Sequence, residues 1–188
     1  MIVMKFGGTS VANFEAITRT IFIIGGKLDQ KPVVVVSALS KVTDLLYACY
    51  AKAESGKDFK AELKEIKERY EEIIKGLKLD LSLNEQFKTI EKDFKEKAGD
   101  NYAASRGEFL NGIIMASYLG YEFIDAAEVI FFDEAGEFDS EKTNRVLSER
   151  LSKTERAVIP GFYGANPDGS IKTFSRGGSD ITGAIVAR

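Results

Sequence analysis

The chain has 188 residues, a length that accommodates one domain with a substantial hydrophobic core. Its 44% hydrophobic and 29% charged residues are typical of a soluble globular protein, and a net charge of -3 provides no general positive field for nucleic acid or an anionic membrane. We therefore expect neither partner, and any anion must be held by a local arrangement of groups.

The residue types that the chain lacks narrow its chemistry. There is no histidine, which excludes Ser-His-Asp catalysis, Cys-His catalysis and histidine-based metal sites, and we predict no protein metal site. The single cysteine, Cys49, lies in an apolar stretch and is predicted to be a buried core residue. An unpaired cysteine, no visible signal peptide and no apolar run long enough for a bilayer together predict a cytoplasmic protein.

The first part of the chain alternates between strand and helix patterns. Residues 1–6 predict a strand, and apolar residues at three- and four-residue steps over residues 14–28 predict a helix. The run PVVVVSA predicts a strand that is buried on both faces. A further helix is predicted at about residues 42–55, ended by Gly56.

Residues 57–99 are rich in lysine and glutamate and carry two apolar stripes at helical spacing. This pattern predicts two amphipathic helices with a break near residues 78–82. We expect the charged residues to form a solvated face, and the alternative is a lid or a partner-binding insertion.

The second half continues the alternation. DNYAASRGEFLNGIIMASYLG predicts a helix with Asp100 as its N-cap and Gly120 just after its last turn. Short strands are predicted near residues 121–125 and 129–132, then a helix over residues 140–152, and RAVIPGFYG predicts another strand.

The last part of the chain contains a predicted hairpin and a short helix. The turn NPDGS predicts a hairpin between residues 162–163 and 171–174. A final helix is predicted to begin at Ser179 or Asp180, and because it is too short to be stable alone we expect a fragment that ends inside or just after it. Alternating strands and helices predict an α/β layer fold with a mainly parallel sheet.

The segment KFGGTS places Lys5, Gly7, Gly8, Thr9 and Ser10 directly after the first predicted strand. Ligands of α/β sheets bind beyond the carboxyl ends of the strands, where a glycine-rich turn exposes backbone N–H groups and a helix N-terminus adds partial positive charge. The lysine adds a full positive charge. The pattern indicates phosphate binding, although the lysine precedes the glycines, unlike in the P-loop. A structural turn with an exposed lysine is the alternative.

A second polar turn, in VVSALSKVTDLL, places Ser37, Ser40 and Thr43 between a buried strand and a helix. It repeats the arrangement of the first turn, so the two could lie side by side at one end of the sheet. Ordinary helix capping by Ser40 or Thr43 is the alternative interpretation.

The segment SRGE lies inside a predicted helix, where Gly107 costs roughly 1 kcal/mol relative to alanine. Such a glycine indicates close approach by a ligand or by another part of the backbone. Glu108 lies on the same helix face as Ser105. The alternative is an exposed pair of charges, Arg106 and Glu108, on a solvated helix.

The segment FSRGGSD combines a cation, two glycines, a hydroxyl and a carboxylate at a helix start. Arg176 has the fork geometry that grips a carboxylate through two hydrogen bonds. Ser179 and Asp180 are also plausible N-cap residues, which is their structural alternative.

These four segments, KFGGTSV, VVVVSALSKVTDLL, SRGE and RGGSD, resemble the aspartokinase family in order and spacing over essentially the whole chain. The resemblance implies the amino-acid-kinase fold, a three-layer αβα sandwich with a mainly parallel sheet, of which residues 1–188 form the N-terminal portion with a helical insertion at about residues 57–99. It also implies transfer of the γ-phosphoryl group of ATP, with Mg²⁺, to the β-carboxylate of L-aspartate. The product is 4-phospho-L-aspartate, on the way to lysine, threonine and methionine.

The resemblance further implies a role for each motif residue. Lys5 would hold the transferring phosphoryl group, Glu108 would meet the amino group of aspartate, and Arg176 would grip its α-carboxylate. The supporting residues are the phosphate loop Gly7, Gly8, Thr9 and Ser10, the substrate hydroxyls of Ser37 and Thr43, the substrate-side Ser179, and Asp180, which joins Lys5 in catalysis. A carboxylate attacks as an anion without a base, so positioning and charge neutralisation suffice.

Two features depart from the family pattern. Ser175 stands where a glycine is expected. The family's nucleotide-binding half and paired regulatory domains follow RGGSD and are absent from residues 1–188, so we expect this chain to be inactive alone and the full-length enzyme to be a homo-oligomer. One alternative is a non-catalytic half-domain that binds an acidic amino acid. Another is an acetylglutamate kinase or a glutamate kinase, and KFGGTSV and SRGE disfavour these two kinases.

Overall fold

A four-stranded parallel sheet forms the centre of the computed structural model, which describes residues 1–175 and 177–188. Its strands lie in the order β1–β2–β4–β3, so the later strands are added on the β2 side of β1. The strands are β1 (Ile2–Phe6), β2 (Pro32–Val36), β3 (Glu122–Phe123) and β4 (Ala157–Pro160). A separate antiparallel hairpin joins β5 (Tyr163–Ala165) and β6 (Ile171–Thr173), which confirms the predicted hairpin.

Eight α-helices are present in the described part of the chain, together with short 3-10 segments at Gly8–Val11 and Leu28–Gln30. The helices are α1 (Phe14–Gly25), α2 (Val42–Glu54), α3 (Lys60–Gly76), α4 (Asn84–Lys95), α5 (Asp100–Leu119), α6 (Ala126–Val129), α7 (Ser140–Ser152) and α8 (Gly178–Val186). Among the described residues, none of these helices has the length and apolarity needed to cross a bilayer.

The sheet separates two hydrophobic cores. All five residues of β2 are buried, and because side chains alternate along a strand, Val34 and Val36 enter one core while Val33 and Val35 enter the other. Helices α1 to α5 contribute to the first core, and α6, α7 and α8 contribute to the second. The predicted three-layer α/β architecture is therefore confirmed.

The lysine- and glutamate-rich segment forms α3 and α4, separated by the predicted break. Their apolar faces pack onto α2 and α5, where the ring of Phe94 lies 5.3 Å from that of Tyr50 in an edge-on contact. Tyr70 on α3 also donates a hydrogen bond to the carbonyl oxygen of Gly107 on α5, at 3.0 Å. The α3–α4 segment thus supports α5 directly.

Three local predictions were wrong. Asp100 is the first residue of α5 and not its N-cap, because Gly99 adopts the positive φ of 95° that precedes the helix. Residues 129–132 do not form a strand. The Asp125 side chain caps α6 by accepting a hydrogen bond from the Ala127 N–H, and isolated β-bridges at Phe131 and Phe132 follow this helix. RAVIPGFYG is divided after Pro160, since Phe162 turns the chain with a φ of 83°.

Candidate active site

The carboxyl ends of the central strands open into a pocket of about 270 Å³. Parallel strands place their carboxyl ends at one edge of the sheet, so residues distant in sequence meet there. The lining residues are Lys5, Ser37, Thr43, Glu108, Phe162, Gly177, Gly178, Ser179 and Asp180. A larger surface depression, about 610 Å³, lies between α3 and α4, but it includes no residue from the four motifs.

Lys5 lies at the end of β1, and its Nζ atom is 2.8 Å from Oδ1 of Asp180. Helix α8 packs over this lysine: a Cβ atom at Gly183 would lie 3.2 Å from Cβ of Lys5. Gly7 has no side chain and therefore does not shield the ammonium group. A Cβ atom at this position would lie 3.4 Å from Nζ of Lys5. The result is a cation beside bare backbone at a helix N-terminus, which suits an anionic group.

Glu108 enters the same pocket from α5 with 5% of its surface exposed. Burial raises the pKa of its carboxyl to about 8, while a hydrogen bond with the Ala38 backbone and the positive charges of Arg106 and Lys5 oppose the rise. Its Oε2 atom has no hydrogen-bond partner among the described residues. The pocket therefore holds a buried carboxyl group that the nearby positive charges do not ionise fully at neutral pH.

The SRGE segment is buried, so the interpretation as an exposed charge pair is wrong. Arg106 is 6% exposed, and Gly107 touches the turn after β2, because a Cβ atom at Gly107 would lie 2.7 Å from Cβ of Ala38. The predicted close approach is confirmed, and the approaching group is the chain at Ala38. This contact brings the SRGE and VVSALSK segments together.

Ser37 directly follows β2 and is held by its backbone. Its N–H donates to the Phe6 carbonyl at 3.1 Å, and its own carbonyl accepts from Nδ2 of Asn111 at 2.7 Å. Helix α2 has Lys41 at its N-cap, with a φ of 66° and no side-chain cap. Capping by Ser40 or Thr43 is therefore not found, and Thr43 instead lines the pocket.

Helix α8 begins after Gly177, whose φ of 81° favours glycine, so Ser179 and Asp180 are not its N-caps. Ser179 is buried against Gly161, where an added Cβ atom would lie 2.7 Å from that of Ser179. Asp180 is exposed and pairs with Lys5. Arg176, predicted to grip a carboxylate, lies outside the described residues.

The phosphate-loop residues lie beside the pocket, not in its lining. Gly7 adjoins the Lys5 ammonium group, and a Cβ atom at Gly8 would lie 3.4 Å from the Ala38 carbonyl oxygen. Thr9 and Ser10 belong to the 3-10 segment that follows, and the Ser10 carbonyl accepts a hydrogen bond from the Thr20 hydroxyl at 2.8 Å. The loop therefore borders the Lys5 side of the pocket.

Sequence reasoning missed two residues of the site. Phe162 forms part of the pocket wall, and its N–H donates to the Thr182 hydroxyl at 3.0 Å. Asn111 is fully buried one turn beyond Glu108, and its Oδ1 atom has no partner among the described residues. The sequence PGF signals a turn, but it carries no sign that the aromatic ring would face a pocket.

Comparison with known proteins places the chain in a family. A model of the amino acid kinase family matches residues 1–188. Aspartokinase 3 of Bacillus subtilis (strain 168) is 36% identical over 100% of this chain and 46% of its own length, and the aspartokinase of Chlamydia trachomatis is 32% identical over 98% and 45%. The chain thus spans less than half of the length of these relatives.

Solved structures of aspartate kinases have the same fold as this chain. Clostridium acetobutylicum aspartate kinase superposes with a TM-score of 0.93 at 43% identity, over 98% of this chain and 44% of that one. E. coli aspartokinase III in complex with aspartate and ADP gives a TM-score of 0.82 at 25% identity, over 100% and 46%. The resemblance to aspartokinases found in the motifs is confirmed, and the chain belongs to the amino acid kinase family.

Proposed function

We propose that this chain is the aspartate- and phosphate-binding part of an aspartate kinase, with residues 1–188 forming the N-terminal part of the amino-acid-kinase domain. One observation carries the proposal. Six residues from all four motifs, spread from one end of the chain to the other, line a single pocket: Lys5, Ser37, Thr43, Glu108, Ser179 and Asp180. A solved relative in complex with aspartate and ADP has the same fold, which supports these ligands.

The described lining of the pocket offers partners for the α-ammonium group and the β-carboxylate of aspartate. The buried carboxyl of Glu108 meets the α-ammonium group, and this cation supplies a counter-charge that favours the ionised carboxylate. The hydroxyls of Ser37 and Thr43 donate to substrate oxygens. Arg176 takes the α-carboxylate, a role that rests on the family resemblance, and the β-carboxylate is left facing Lys5.

Phosphoryl transfer requires little covalent help from the protein. A β-carboxylate oxygen of aspartate attacks the γ-phosphorus, a new P–O bond forms, and the bond to ADP breaks with its electron pair leaving on ADP. Lys5 moves from Asp180 to the γ-phosphoryl oxygens, and the bare backbone of Gly7 and Gly8 lets that group come close. Mg²⁺ bound to the nucleotide supplies further charge neutralisation.

Calorimetric titration of the chain tests the substrate. We expect L-aspartate to bind more tightly than D-aspartate, L-glutamate, N-acetyl-L-aspartate or N-acetyl-L-glutamate, since acetylation removes the cation that Glu108 needs. Preference for glutamate or N-acetylglutamate would identify another amino-acid kinase. Failure to bind any of these ligands would refute the assignment of the pocket.

Trapping with hydroxylamine tests the reaction. The complete polypeptide that contains residues 1–188 is expected to form β-aspartyl hydroxamate from aspartate, ATP and Mg²⁺. Aspartate binding without hydroxamate formation in that polypeptide would instead support a non-catalytic binding unit.

Location and assembly are further parts of the proposal. Cys49 is buried and free, which supports a cytoplasmic protein. Homo-oligomer formation is implied by the resemblance, and analytical ultracentrifugation of the complete polypeptide measures it directly.

A further inference from the structure

Arg106 is a buried cation on α5 without an ion-pair partner among the described residues. Its Nε and Nη2 atoms both donate to the Ser105 hydroxyl, at 3.1 and 2.9 Å. Its guanidinium carbon lies 4.5 Å from the ring centroids of both Tyr102 and Phe109. A guanidinium has five N–H donors, and a buried charge is costly without a counter-charge. This arginine therefore has N–H donors without an acceptor and no ion-pair partner among the described residues.

A second pocket, of about 230 Å³, opens beside this arginine between α4 and α5. Its wall includes Gln86, Thr89 and Ile90 from α4, and Tyr102, Arg106 and Phe109 from α5. Arg106 and Glu108 are two positions apart on α5, with Gly107 between them, and this spacing turns their side chains to opposite sides of the helix. The second pocket is thus distinct from the candidate active site.

Two further observations point to a missing ligand. Oε1 of Gln86 is buried and has no hydrogen-bond partner among the described residues. Glu85 also borders the pocket, but its carboxylate is exposed and lies 2.7 Å from the ammonium group of Lys88, so it does not neutralise Arg106. The pocket therefore combines a buried cation that forms no ion pair among the described residues, an unused acceptor and apolar walls.

We propose that this second pocket binds a small organic acid that carries an apolar body. The carboxylate would accept from the free N–H groups of Arg106, and the body would pack against Ile90 and Phe109. A hydroxyl or amino group on the ligand would donate to Oε1 of Gln86. The proposal does not depend on the reaction at the first pocket.

Phenylacetate is a suitable probe, because it joins a carboxylate to one aromatic ring. We expect saturable NMR shifts of the backbone amides of Gln86, Thr89, Tyr102 and Phe109 in the ¹⁵N-labelled chain. Phenylacetamide has the same body without the charge and should bind about tenfold or more weakly. Equal binding of acid and amide, shifts from inorganic phosphate alone, or no saturable shift would overturn the proposal.

Variants identify the cation responsible. Arg106→Met keeps an unbranched apolar stem without the charge and should weaken phenylacetate by about tenfold or more while leaving phenylacetamide unchanged. Lys92→Met is the matched control, since it removes an exposed cation from α4 that does not border the pocket, and it should change neither affinity. Thr89→Phe fills the pocket with Arg106 intact and should also abolish binding, which keeps the test decisive if Arg106→Met does not fold. An unchanged phenylacetate affinity in both pocket variants would contradict the site.

Discussion

At the scale of single residues, the fold has its clearest chemical effect on Glu108, because it changes the pKa of that carboxyl group. Its pKa of about 8 results from burial, although a backbone hydrogen bond and two cations lie near enough to oppose it. A carboxyl with this pKa is mainly neutral below about pH 8, and a cation placed beside it favours the anion. Ligand binding and proton release are therefore coupled at this residue.

We expect the affinity of the chain for L-aspartate to rise with pH, by up to about tenfold per pH unit between about pH 6 and 8, and then to level off. The sign follows because the ammonium group of aspartate stabilises ionised Glu108, whose proton must first be lost. Calorimetry in buffers of different ionisation enthalpy counts the released proton. Glu108→Gln should bind weakly with little pH dependence over this range, and an identical pH slope in that variant would exclude Glu108 as the coupled group.

Lys5 is expected to matter for the reaction and not for the fold. Its ion pair with the exposed Asp180 is at the protein surface, where such pairs contribute little stability. In the complete polypeptide, Lys5→Ala should lower kcat by about 10²- to 10³-fold, the loss typical of one preorganised donor to a developing charge. The melting temperature should stay within the range of the control Lys27→Ala, an exposed lysine outside the pocket. Near-normal kcat in Lys5→Ala would make Lys5 a structural residue.

Arg176 remains a prediction from sequence. Its planar guanidinium can hold both oxygens of the α-carboxylate, whereas lysine acts as a point charge. In the complete polypeptide, Arg176→Lys should raise the KM for aspartate strongly and leave the KM for ATP nearly unchanged. A selective rise in the KM for ATP would move this residue to the nucleotide side of the reaction.

At the scale of elements, α5 is the helix that organises both pockets. It lies in the core between the sheet and the α3–α4 segment, so twelve of its residues are buried, including charged ones. Glu108 serves the first pocket, Arg106 lines the second, and Tyr70 of α3 bonds to the carbonyl of the intervening Gly107. A change in the position of this helix would therefore alter the lining of both pockets.

Two glycine substitutions separate helix propensity from packing. Gly107→Ala gains about 1 kcal/mol of propensity but drives a methyl group to 2.7 Å from Cβ of Ala38, and overpacking of this kind costs about 1–3 kcal/mol. We expect a net loss of unfolding free energy in urea, together with weaker aspartate binding. Gly25→Ala in α1 meets no atom within 4 Å and should be neutral or stabilising by up to about 1 kcal/mol. Stabilisation by both substitutions would mean that the contact at Ala38 is loose.

At the scale of the whole molecule, the central position of β2 determines where the structure is most resistant to opening. Strands β1 and β4 flank it, and helices cover both of its faces. We expect the amides of Val33 to Val36 to exchange with deuterium most slowly, at rates approaching those of global unfolding, and the three-residue hairpin strands β5 and β6 to exchange faster. Hydrogen exchange measured by NMR checks this order, and faster exchange in β2 than in the hairpin would contradict it.

Much of the fold could be predicted from the sequence because its signals are local. The β-branched run at residues 32–36, the two amphipathic stripes of the insertion and the NPDGS turn each specify their own element. The motif residues were also visible in the sequence: their types indicated anion binding, and their resemblance to aspartokinases implied amino-acid chemistry. The errors arose where a local interaction stabilised a different structure. For example, the Asp125 side chain caps helix α6 just before the residues predicted to form a strand.

The tertiary structure alone decided what surrounds these residues. Exposure of Arg106 and Glu108 depends on α2, α3, α4 and the hairpin packing around α5, which are long-range contacts that no pattern within SRGE contains. The pKa of Glu108, the aromatic wall at Phe162 and the second pocket therefore could not be inferred from sequence. Burial sets the cost of a charge, and burial is a property of the assembled chain.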